Sequence, residues 1–264
     1  MYYFETSDSL PGRMAETVLQ AVFPMATYCL CCGKYINGSR SYCICDHCIQ
    51  RITWGHIEID LEEEARALGR PSALDSARAC MKYGLFERRL IFDLKYDGLT
   101  YVSRAIAGIM HDRIITDPAA AAQLSESEYI VPVPMYKEKE KQRGFNQAAK
   151  MAGHLARRLH RKHLPGALVR HKQTAAQRSI TGRERYSNME GAFAVSPGYA
   201  DRIKGSAIIL LDDVYTSGAT AHTCAAVLKE AGASKVHFMG LATGNDFADG
   251  YFGLEKVRIN RYNI

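Results

Sequence analysis

Long apolar runs are absent from this chain of 264 residues, and none is longer than the stretch from Ala207 to Leu211. A helix needs about 20 apolar residues to cross a bilayer, so no membrane span is expected. Export is not expected either, because Glu5, Asp8 and Glu16 stand where a secretory signal has a basic start and an apolar middle. Repeats and low-complexity tracts are missing too. We therefore expect a globular, cytoplasmic protein.

Positive charge is concentrated in one part of the chain. Residues 131–190 hold fourteen Lys or Arg against four Glu, a local net charge of +10, whereas the whole chain carries +6. Such a concentration suits a phosphate-rich ligand or a nucleic acid. The alternative is a solvated helix face, which applies best to Arg157, Arg158, Arg161 and Lys162.

The second half of the chain alternates between two kinds of apolar pattern. Strands are predicted at 77–83, 129–133, 191–195, 207–211 and 235–242, and helices at 86–97, 101–113, 146–163 and 219–231. This alternation predicts a parallel α/β sheet within a domain at 77–264. Ahead of that domain we place a helical lead at 1–26, a cysteine-rich module at 27–54 and an acidic connector at 55–76.

Cysteines are unusually dense in the module at 27–54. Six of the eight in the chain fall there, a density that a cytoplasmic protein uses for metal more often than for disulfides. Two Cys-x₂-Cys pairs can close a tetrahedral thiolate site for a structural Zn²⁺ ion, and they predict the ligands Cys29, Cys32, Cys45 and Cys48. Second choices for the same positions are Cys31, Cys43 and His47.

This module has two possible roles. It can stabilise a segment that lacks a core of its own, which is the favoured interpretation. It can also contact single-stranded nucleic acid, since basic and aromatic side chains neutralise and stack on such a strand. Candidates for that contact are Lys34, Arg40, Arg51, Tyr35, Tyr42 and Trp54.

Two carboxylates and a hydroxyl-rich turn follow the apolar strand at 207–211. Asp212 and Asp213 fall at its carboxyl end, where open α/β sheets place their ligands. The turn at Thr216–Thr220 begins a helix, whose free N–H groups favour a phosphate, and Gly218 allows close backbone approach. The carboxylates can accept hydrogen bonds from a vicinal diol such as that of ribose. The alternative is a plain strand with a helix cap, in which Asp212 and Asp213 bind a metal or only end the strand, but the fixed order of parts disfavours it.

A basic segment follows the predicted strand at 129–133. Its Arg-Gly-Phe-Asn-Gln string forms a plausible polyphosphate cradle from Arg143, Gly144, Asn146 and Gln147, although Asn146 can also cap a helix. Farther on, residues 170–188 are long and basic for an internal loop, which predicts a mobile hood over a ligand. Possible contacts from this hood are Thr174, Gln177, Arg178 and Arg185.

The string at 208–220 resembles the signature with which type I phosphoribosyltransferases bind phosphoribosyl pyrophosphate (PRPP). That resemblance implies a doubly wound parallel sheet, with Mg²⁺ bound mainly by the pyrophosphate and ribose oxygens. It implies a catalytic role in holding the ribose for Asp212 and Asp213. The PRPP contacts that it implies are Asp212, Asp213, Val214, Tyr215, Thr216, Ser217, Gly218, Ala219 and Thr220.

The order of the motifs along the chain is similar to that of the ComF family. The cysteine pairs are followed by Leu94–Gly98, Val131–Pro134, Arg143–Gln147 and the string at 208–220. This resemblance implies an N-terminal four-Cys zinc ribbon on a type I phosphoribosyltransferase domain, with a loop for the pyrophosphate leaving group in the segment 137–147. It also places Lys95 near the ligand phosphates. A lysine on a helix face is the alternative for Lys95. The family is linked to DNA uptake, so the candidate partners are PRPP, single-stranded DNA and the DNA-uptake machinery.

Two classes of function fit these motifs. In the first, the protein is a phosphoribosyltransferase that displaces pyrophosphate from PRPP onto an unidentified acceptor, in DNA uptake or nucleotide salvage. No base pocket and no glutamine-hydrolysing module can be recognised in the sequence. In the second, the protein keeps the PRPP pocket as a non-catalytic sensor or as a factor that handles single-stranded DNA.

Overall fold

The computed structural model describes residues 28–36, 42–84, 87, 90–92, 100–172 and 188–244. The predicted helical lead at 1–26 and most of the predicted helix at 86–97 lie outside these residues. The strands are β1 (Trp54–Glu58), β2 (Ser76–Lys82), β3 (Tyr129–Pro132), β4 (Lys162–His163), β5 (Leu168–Arg170), β6 (Phe193–Val195), β7 (Ala207–Tyr215) and β8 (Lys235–Thr243).

The α-helices of the described residues differ widely in length. They are α1 (Asp46–Ile49), α2 (Leu61–Leu68), α3 (Thr100–Thr116), α4 (Pro118–Glu126), α5 (Lys137–Arg143), α6 (Gln147–Arg158), α7 (Ala200–Ile203) and α8 (Ala219–Glu230), and a 3₁₀ turn, Pro197–Tyr199, precedes α7. Across the described ranges, no helix has both the length and the apolar character that crossing a bilayer requires.

The central sheet has six strands in the order β1-β2-β8-β7-β3-β4. All neighbours in it are parallel except β1, which runs antiparallel to β2 at one edge. A separate antiparallel pair is formed by β5 and β6. Parallel strands are covered on both faces, which explains why β8 is buried almost throughout.

Side chains of β7 alternate between two apolar cores, one on each face of the sheet. Ile209 and Leu211 join the core that contains buried residues of α3 and α6. Ile208 and Leu210 join the other core, which contains buried residues of α8 and β8. Because successive side chains of a strand point to opposite faces, helices cover both sides of the sheet. The predicted doubly wound, mostly parallel α/β fold is confirmed.

The segment predicted as an acidic connector is not irregular, since it contains β1 and α2. Asp60 caps α2 by accepting hydrogen bonds from the N–H groups of Glu62 at 3.0 Å and Glu63 at 2.9 Å. Gly69 ends the helix in the left-handed conformation, with φ of 70°. The acidic residues therefore form the first turn of a helix, where negative charge is favourable. The domain boundaries remain a prediction.

Two further expectations for the basic half of the chain are wrong. The predicted helix at 146–163 ends at Arg158, because the chain turns at His160, with φ of 53°, and then forms β4. The segment after β3 contains the helix α5 where a loop was predicted. Its sequence supplies good helix formers, with Glu138 and Glu140 near its start and Lys141 and Arg143 near its end, which suits the helix dipole.

Candidate functional site

Residues 212–220, here called the candidate PRPP loop, lie at the carboxyl edge of the sheet. The chain leaves β3 through α6 to reach β4 on one side, and it leaves the adjacent β7 through α8 to reach β8 on the other side. Open α/β sheets bind their ligands at such a reversal of strand order. The Arg143–Gln147 segment follows β3, so the structure brings both predicted phosphate-binding segments to the same edge.

Asp212 and Asp213 lie within β7 rather than after it. The strand continues to Tyr215 because its ladder with β8 extends to the pair of Tyr215 and Thr243. Its pairing with β3 ends at Leu211, so both carboxylates stand where β7 extends beyond this neighbour. The N–H of Asp213 donates to Oδ1 of Asp212 at 2.8 Å, and the N–H of Val214 donates to Oδ1 of Asp213 at 3.0 Å. Asp213 is buried and Asp212 is half-buried.

Gly218 forms the tight turn that connects these carboxylates to α8. Its φ of 68° lies in the left-handed region, which favours glycine. A Cβ atom at this position would lie 2.5 Å from Oη of Tyr215 and 3.0 Å from Cδ2 of His222. As the residue before α8, Gly218 offers no side-chain cap to the first-turn amides. Those amides are the groups with which a helix start binds an anion.

The close packing of Gly218 leads to a prediction with a matched control. Gly218→Ala should lower the free energy of unfolding by roughly 2–6 kcal/mol, the sum of left-handed strain and steric overlap. Gly205 has a similar φ of 74°, but an added Cβ there would have no neighbour within 4 Å, so Gly205→Ala should show only the strain, about 1–3 kcal/mol. Urea unfolding measures both; equal losses would contradict the packing described here.

The Arg143–Gln147 segment is held mainly by its own protein contacts. The Arg143 guanidinium donates to Oε1 of Gln147 at 2.6 Å. The Asn146 side chain accepts from the N–H of Ala148 at 3.0 Å, which caps α6, and its amide donates to the carbonyl of Val133 at 3.0 Å. Asn146 is therefore a helix cap that anchors the start of α6 to the end of β3. Gly144, with φ of 84°, ends α5.

Several predicted contacts fall outside the described residues. They are Lys95 and the hood residues Thr174, Gln177, Arg178 and Arg185. Among the candidate PRPP loop residues, the hydroxyl side chains of Thr216 and Thr220 are half-buried, whereas Ser217, Tyr215 and Ala219 are buried. Part of the loop is therefore packed against the protein, while its two threonines remain partly accessible to solvent.

The four predicted zinc ligands converge. The sulfur atoms of Cys29, Cys32, Cys45 and Cys48 all lie within 4.8 Å of one another. A tetrahedral Zn²⁺ ion with Zn–S bonds of about 2.3 Å separates its sulfur ligands by about 3.8 Å. The Cys32 and Cys45 sulfurs are 3.7 Å apart, so this donor set fits such an ion. Four protein ligands leave no open position, which indicates a structural site.

Hydrogen bonds to the Cys29 sulfur favour its thiolate form, which is the form that binds metal. A hydrogen bond from the Cys31 thiol has the largest effect, and together with backbone N–H donors it lowers the pKa of Cys29 to about 3. The N–H groups of Cys45 and Cys31 lie 3.3 Å and 3.4 Å from this sulfur. Cys31 thus acts on a ligand, and it is not a member of the four-sulfur cluster.

The other two alternatives also lie apart from the cluster. His47 is exposed, and its Nδ1 atom lies 2.8 Å from the Arg51 guanidinium. Cys43 adopts a φ of 56°, and its carbonyl accepts the N–H of Leu30 at 2.9 Å. The structure therefore selects one set of four from the seven candidates that the sequence offered.

The cysteine module packs directly on the α/β domain. Buried residues of the module, including Ile44 and Cys48, share one apolar cluster with Ile106 and Met110 of α3. The Tyr42 hydroxyl donates to the Asp112 carboxylate, and burial together with this carboxylate raises the pKa of Tyr42 to about 12. Farther along, the Arg113 guanidinium lies 4.9 Å from the ring centroid of Trp54. A common core therefore joins the module to the sheet.

Comparisons with known proteins find relatives of this chain. No family model matches it. It is 29% identical to Competence protein F of Haemophilus influenzae over 153 residues, 58% of this chain and 66% of that protein. It is 24% identical to DNA utilization protein YhgH of Escherichia coli over 208 residues, 79% of this chain and 86% of that protein. Competence protein ComFC of Bacillus subtilis is 40% identical over 103 residues, 39% of each chain. The names of these relatives support membership of the ComF family.

One buried polar cluster was not predicted from the sequence. Glu64 of α2 contacts both Tyr215 of the candidate PRPP loop and His222 of α8. Glu64 is one of three consecutive acids, and the other two, Glu62 and Glu63, are exposed. Helical periodicity distinguishes Glu64 from Glu62 and Glu63. Leu61 and Glu64 are three positions apart, so they lie on the same face of α2.

Proposed function

We propose that this ComF-family protein binds PRPP together with Mg²⁺ at the candidate PRPP loop and acts in the uptake or use of DNA. The names of its relatives refer to competence and to DNA utilization. Phosphoribosyl transfer to an unidentified acceptor is the activity that we assign to the loop.

The observation that carries this proposal is the position of the carboxylate pair. It lies beside a glycine turn, at the edge of the sheet where the strand order reverses. Asp212 and Asp213 stand where β7 extends past β3, and the start of α8 follows within the same loop. The 5′-phosphate would bind the first-turn amides of α8 and the hydroxyls of Thr216 and Thr220. The carboxylates would accept hydrogen bonds from the ribose hydroxyls.

In the proposed reaction, a nucleophile forms a bond to the anomeric carbon of PRPP as the bond to pyrophosphate breaks. Developing positive charge on the sugar would lie near Asp212 and Asp213, which favours the transition state electrostatically. Mg²⁺ would neutralise charge on the leaving pyrophosphate. The protein residues would supply position and charge, and the metal would be held mainly by the ligand's own oxygens.

The direct test is to add PRPP and MgCl₂ to the purified protein. Calorimetry measures binding, and a pyrophosphate-release assay with a panel of bases and amines measures transfer. Binding with acceptor-dependent release supports a transferase. Tight binding without release supports a PRPP sensor instead, whereas absence of PRPP binding would contradict the site assignment.

A role in handling single-stranded DNA is the second candidate, and the surface of the cysteine module favours it. Tyr28 and Tyr35 are 62% and 73% exposed, and their rings meet edge to face with centroids 6.2 Å apart. Exposed aromatic rings near a lysine such as Lys34 can stack on bases. Together with the net charge of +10 over residues 131–190, this surface suits a polyanion.

We expect an oligothymidine to bind this surface in a salt-dependent manner. Each phosphate neutralised should contribute about 0.7 to the slope of log affinity against log salt concentration. The double variant Tyr28→Ala with Tyr35→Ala should weaken binding at least tenfold, since stacking contributes about 1–3 kcal/mol per base. Fluorescence anisotropy at several salt concentrations measures both quantities; salt-independent binding, or equal binding by the variant, would contradict this candidate.

A further inference from the structure

A buried polar cluster links α2 to the candidate PRPP loop. The Tyr215 hydroxyl donates to Oε2 of Glu64 at 2.5 Å, and Nε2 of His222 lies 3.1 Å from the same oxygen. On the far side of the ring, Nδ1 of His222 lies 3.3 Å from Oγ of Ser72. Glu64, Tyr215 and His222 are 9%, 2% and 3% exposed, so water contributes little to their solvation.

The protons of this cluster can be assigned from its geometry. Tyr215 has a single O–H, which it donates to Glu64. A bare ring nitrogen facing a carboxylate oxygen would be repelled, so Nε2 of His222 carries a proton and donates it to Glu64. Burial and the Glu64 carboxylate raise the pKa of Tyr215, which keeps the phenol protonated. One carboxylate oxygen thus accepts two hydrogen bonds, from Tyr215 before the Gly218 turn and from His222 after it.

The Tyr215 ring transmits this constraint to the turn. On one side, the ring packs edge to face against Phe238 of β8, with centroids 4.9 Å apart. On the other side, its hydroxyl lies so close to Gly218 that a Cβ on this residue would come within 2.5 Å. A displacement of the hydroxyl towards Gly218 would therefore disturb the turn, because close-packed groups cannot shift independently.

We propose that Glu64 is a positioning residue for the candidate PRPP loop. By holding Tyr215 and His222 at fixed distances, it sets the Gly218 turn in the geometry that receives the 5′-phosphate. This inference rests on the proposed function for the ligand, but the positioning itself is a property of the free protein. A carboxylate is costly to bury, and a packed apolar side chain would fill the same space without fixing two hydrogen-bond donors.

Three variants separate positioning from general stability. Glu64→Met preserves side-chain length but removes the acceptor, and Glu64→Gln restores an acceptor oxygen without the charge. Glu63→Met is the matched control, because Glu63 is the exposed neighbour on the same helix. If Glu64→Met does not fold, Tyr215→Phe takes its place. It removes the hydrogen bond that Tyr215 donates to Glu64 and keeps the aromatic ring.

Amide hydrogen exchange of the free protein is the first readout. The His222 amide donates to the Gly218 carbonyl at 2.9 Å, so its protection reports on the turn. We expect this amide and its neighbours at the start of α8 to exchange at least tenfold faster in Glu64→Met, with recovery in Glu64→Gln and no change in Glu63→Met. The amides of α6 should keep their protection. A uniform increase throughout the domain, or no increase at the start of α8, would overturn the inference whether or not the protein binds PRPP.

Calorimetry with two probes is the second readout. Ribose 5-phosphate reports on the turn, and magnesium pyrophosphate reports on the leaving-group side. We expect Glu64→Met to weaken ribose 5-phosphate at least tenfold and to leave magnesium pyrophosphate unchanged. Equal affinity of variant and wild type for ribose 5-phosphate, or equal losses for both probes, would overturn the inference. A wild-type protein that binds neither probe would instead overturn the proposed function.

Discussion

Replacing Asp212 and Asp213 together by Asn should abolish measurable PRPP binding while leaving the protein folded. Each carboxylate is proposed to accept a hydrogen bond from the ribose, and hydrogen bonds to charged groups contribute about 1.5–3 kcal/mol each. Loss of both corresponds to a decrease in affinity of roughly 100-fold or more. Asn has nearly the same size as Asp, so it should fit the same space. Asp213 is buried, and its replacement also removes the free-energy cost of burying a charge.

Calorimetry with PRPP and MgCl₂ measures this effect, and thermal unfolding checks the fold. Asp201→Asn is the matched control, because Asp201 is an exposed carboxylate on α7, away from the sheet reversal. Its affinity should equal that of the wild type. Unchanged binding by the Asp212/Asp213 double variant would refute the assignment of the ribose site to this pair.

Loss of one of the four proposed zinc ligands should destabilise the α/β domain together with the cysteine module. Cys48 is fully buried in the apolar cluster that also contains Ile106 and Met110 of α3. Cys48→Ser should therefore release the ion and lower the unfolding temperature by about 10 °C, which corresponds to about 3–5 kcal/mol in a domain of this size. An excess of a zinc chelator should have the same effect on the wild type.

Atomic emission gives the zinc content per chain, and calorimetry gives the number of unfolding transitions. Cys43→Ser is the control, since Cys43 lies in the same module but outside the four-sulfur cluster. It should retain its zinc. A Cys48→Ser protein with full zinc content would contradict the ligand set, and a separate transition for the module would contradict the shared core.

Local sequence patterns predicted the elements that do not depend on residues far away along the chain. The apolar run at 207–211 predicted β7 because a strand buried on both faces requires such a run. The Cys-x₂-Cys pairs predicted the cluster of four sulfur atoms because metal geometry limits their spacing. The end of β7 could not be predicted in the same way. Its continuation to Tyr215 depends on the length of β8, which is the strand paired with it.

Glu64 illustrates what local patterns do not contain. Because Glu64 belongs to a run of acidic residues, the sequence suggests a solvent-exposed side chain. Helix α2 by itself offers no hydrogen-bond donor that would explain its burial. Its burial depends on Tyr215 and His222, which are 151 and 158 residues away along the chain. The α5 helix was missed for a different reason, because its alternating Lys and Glu lack an apolar face and are typical of both a solvated helix and a basic loop.

The position of β2 beside β8 has a consequence for biosynthesis. Ser76 and His237 face each other across this parallel pair and are 161 residues apart. A ribosome that adds about 5–20 residues per second needs roughly 10–30 s to produce the second strand after the first. Throughout that interval β2 has an unsatisfied edge, so the nascent chain must be protected from pairing with other chains. Fragments that end before β8 should aggregate for the same reason.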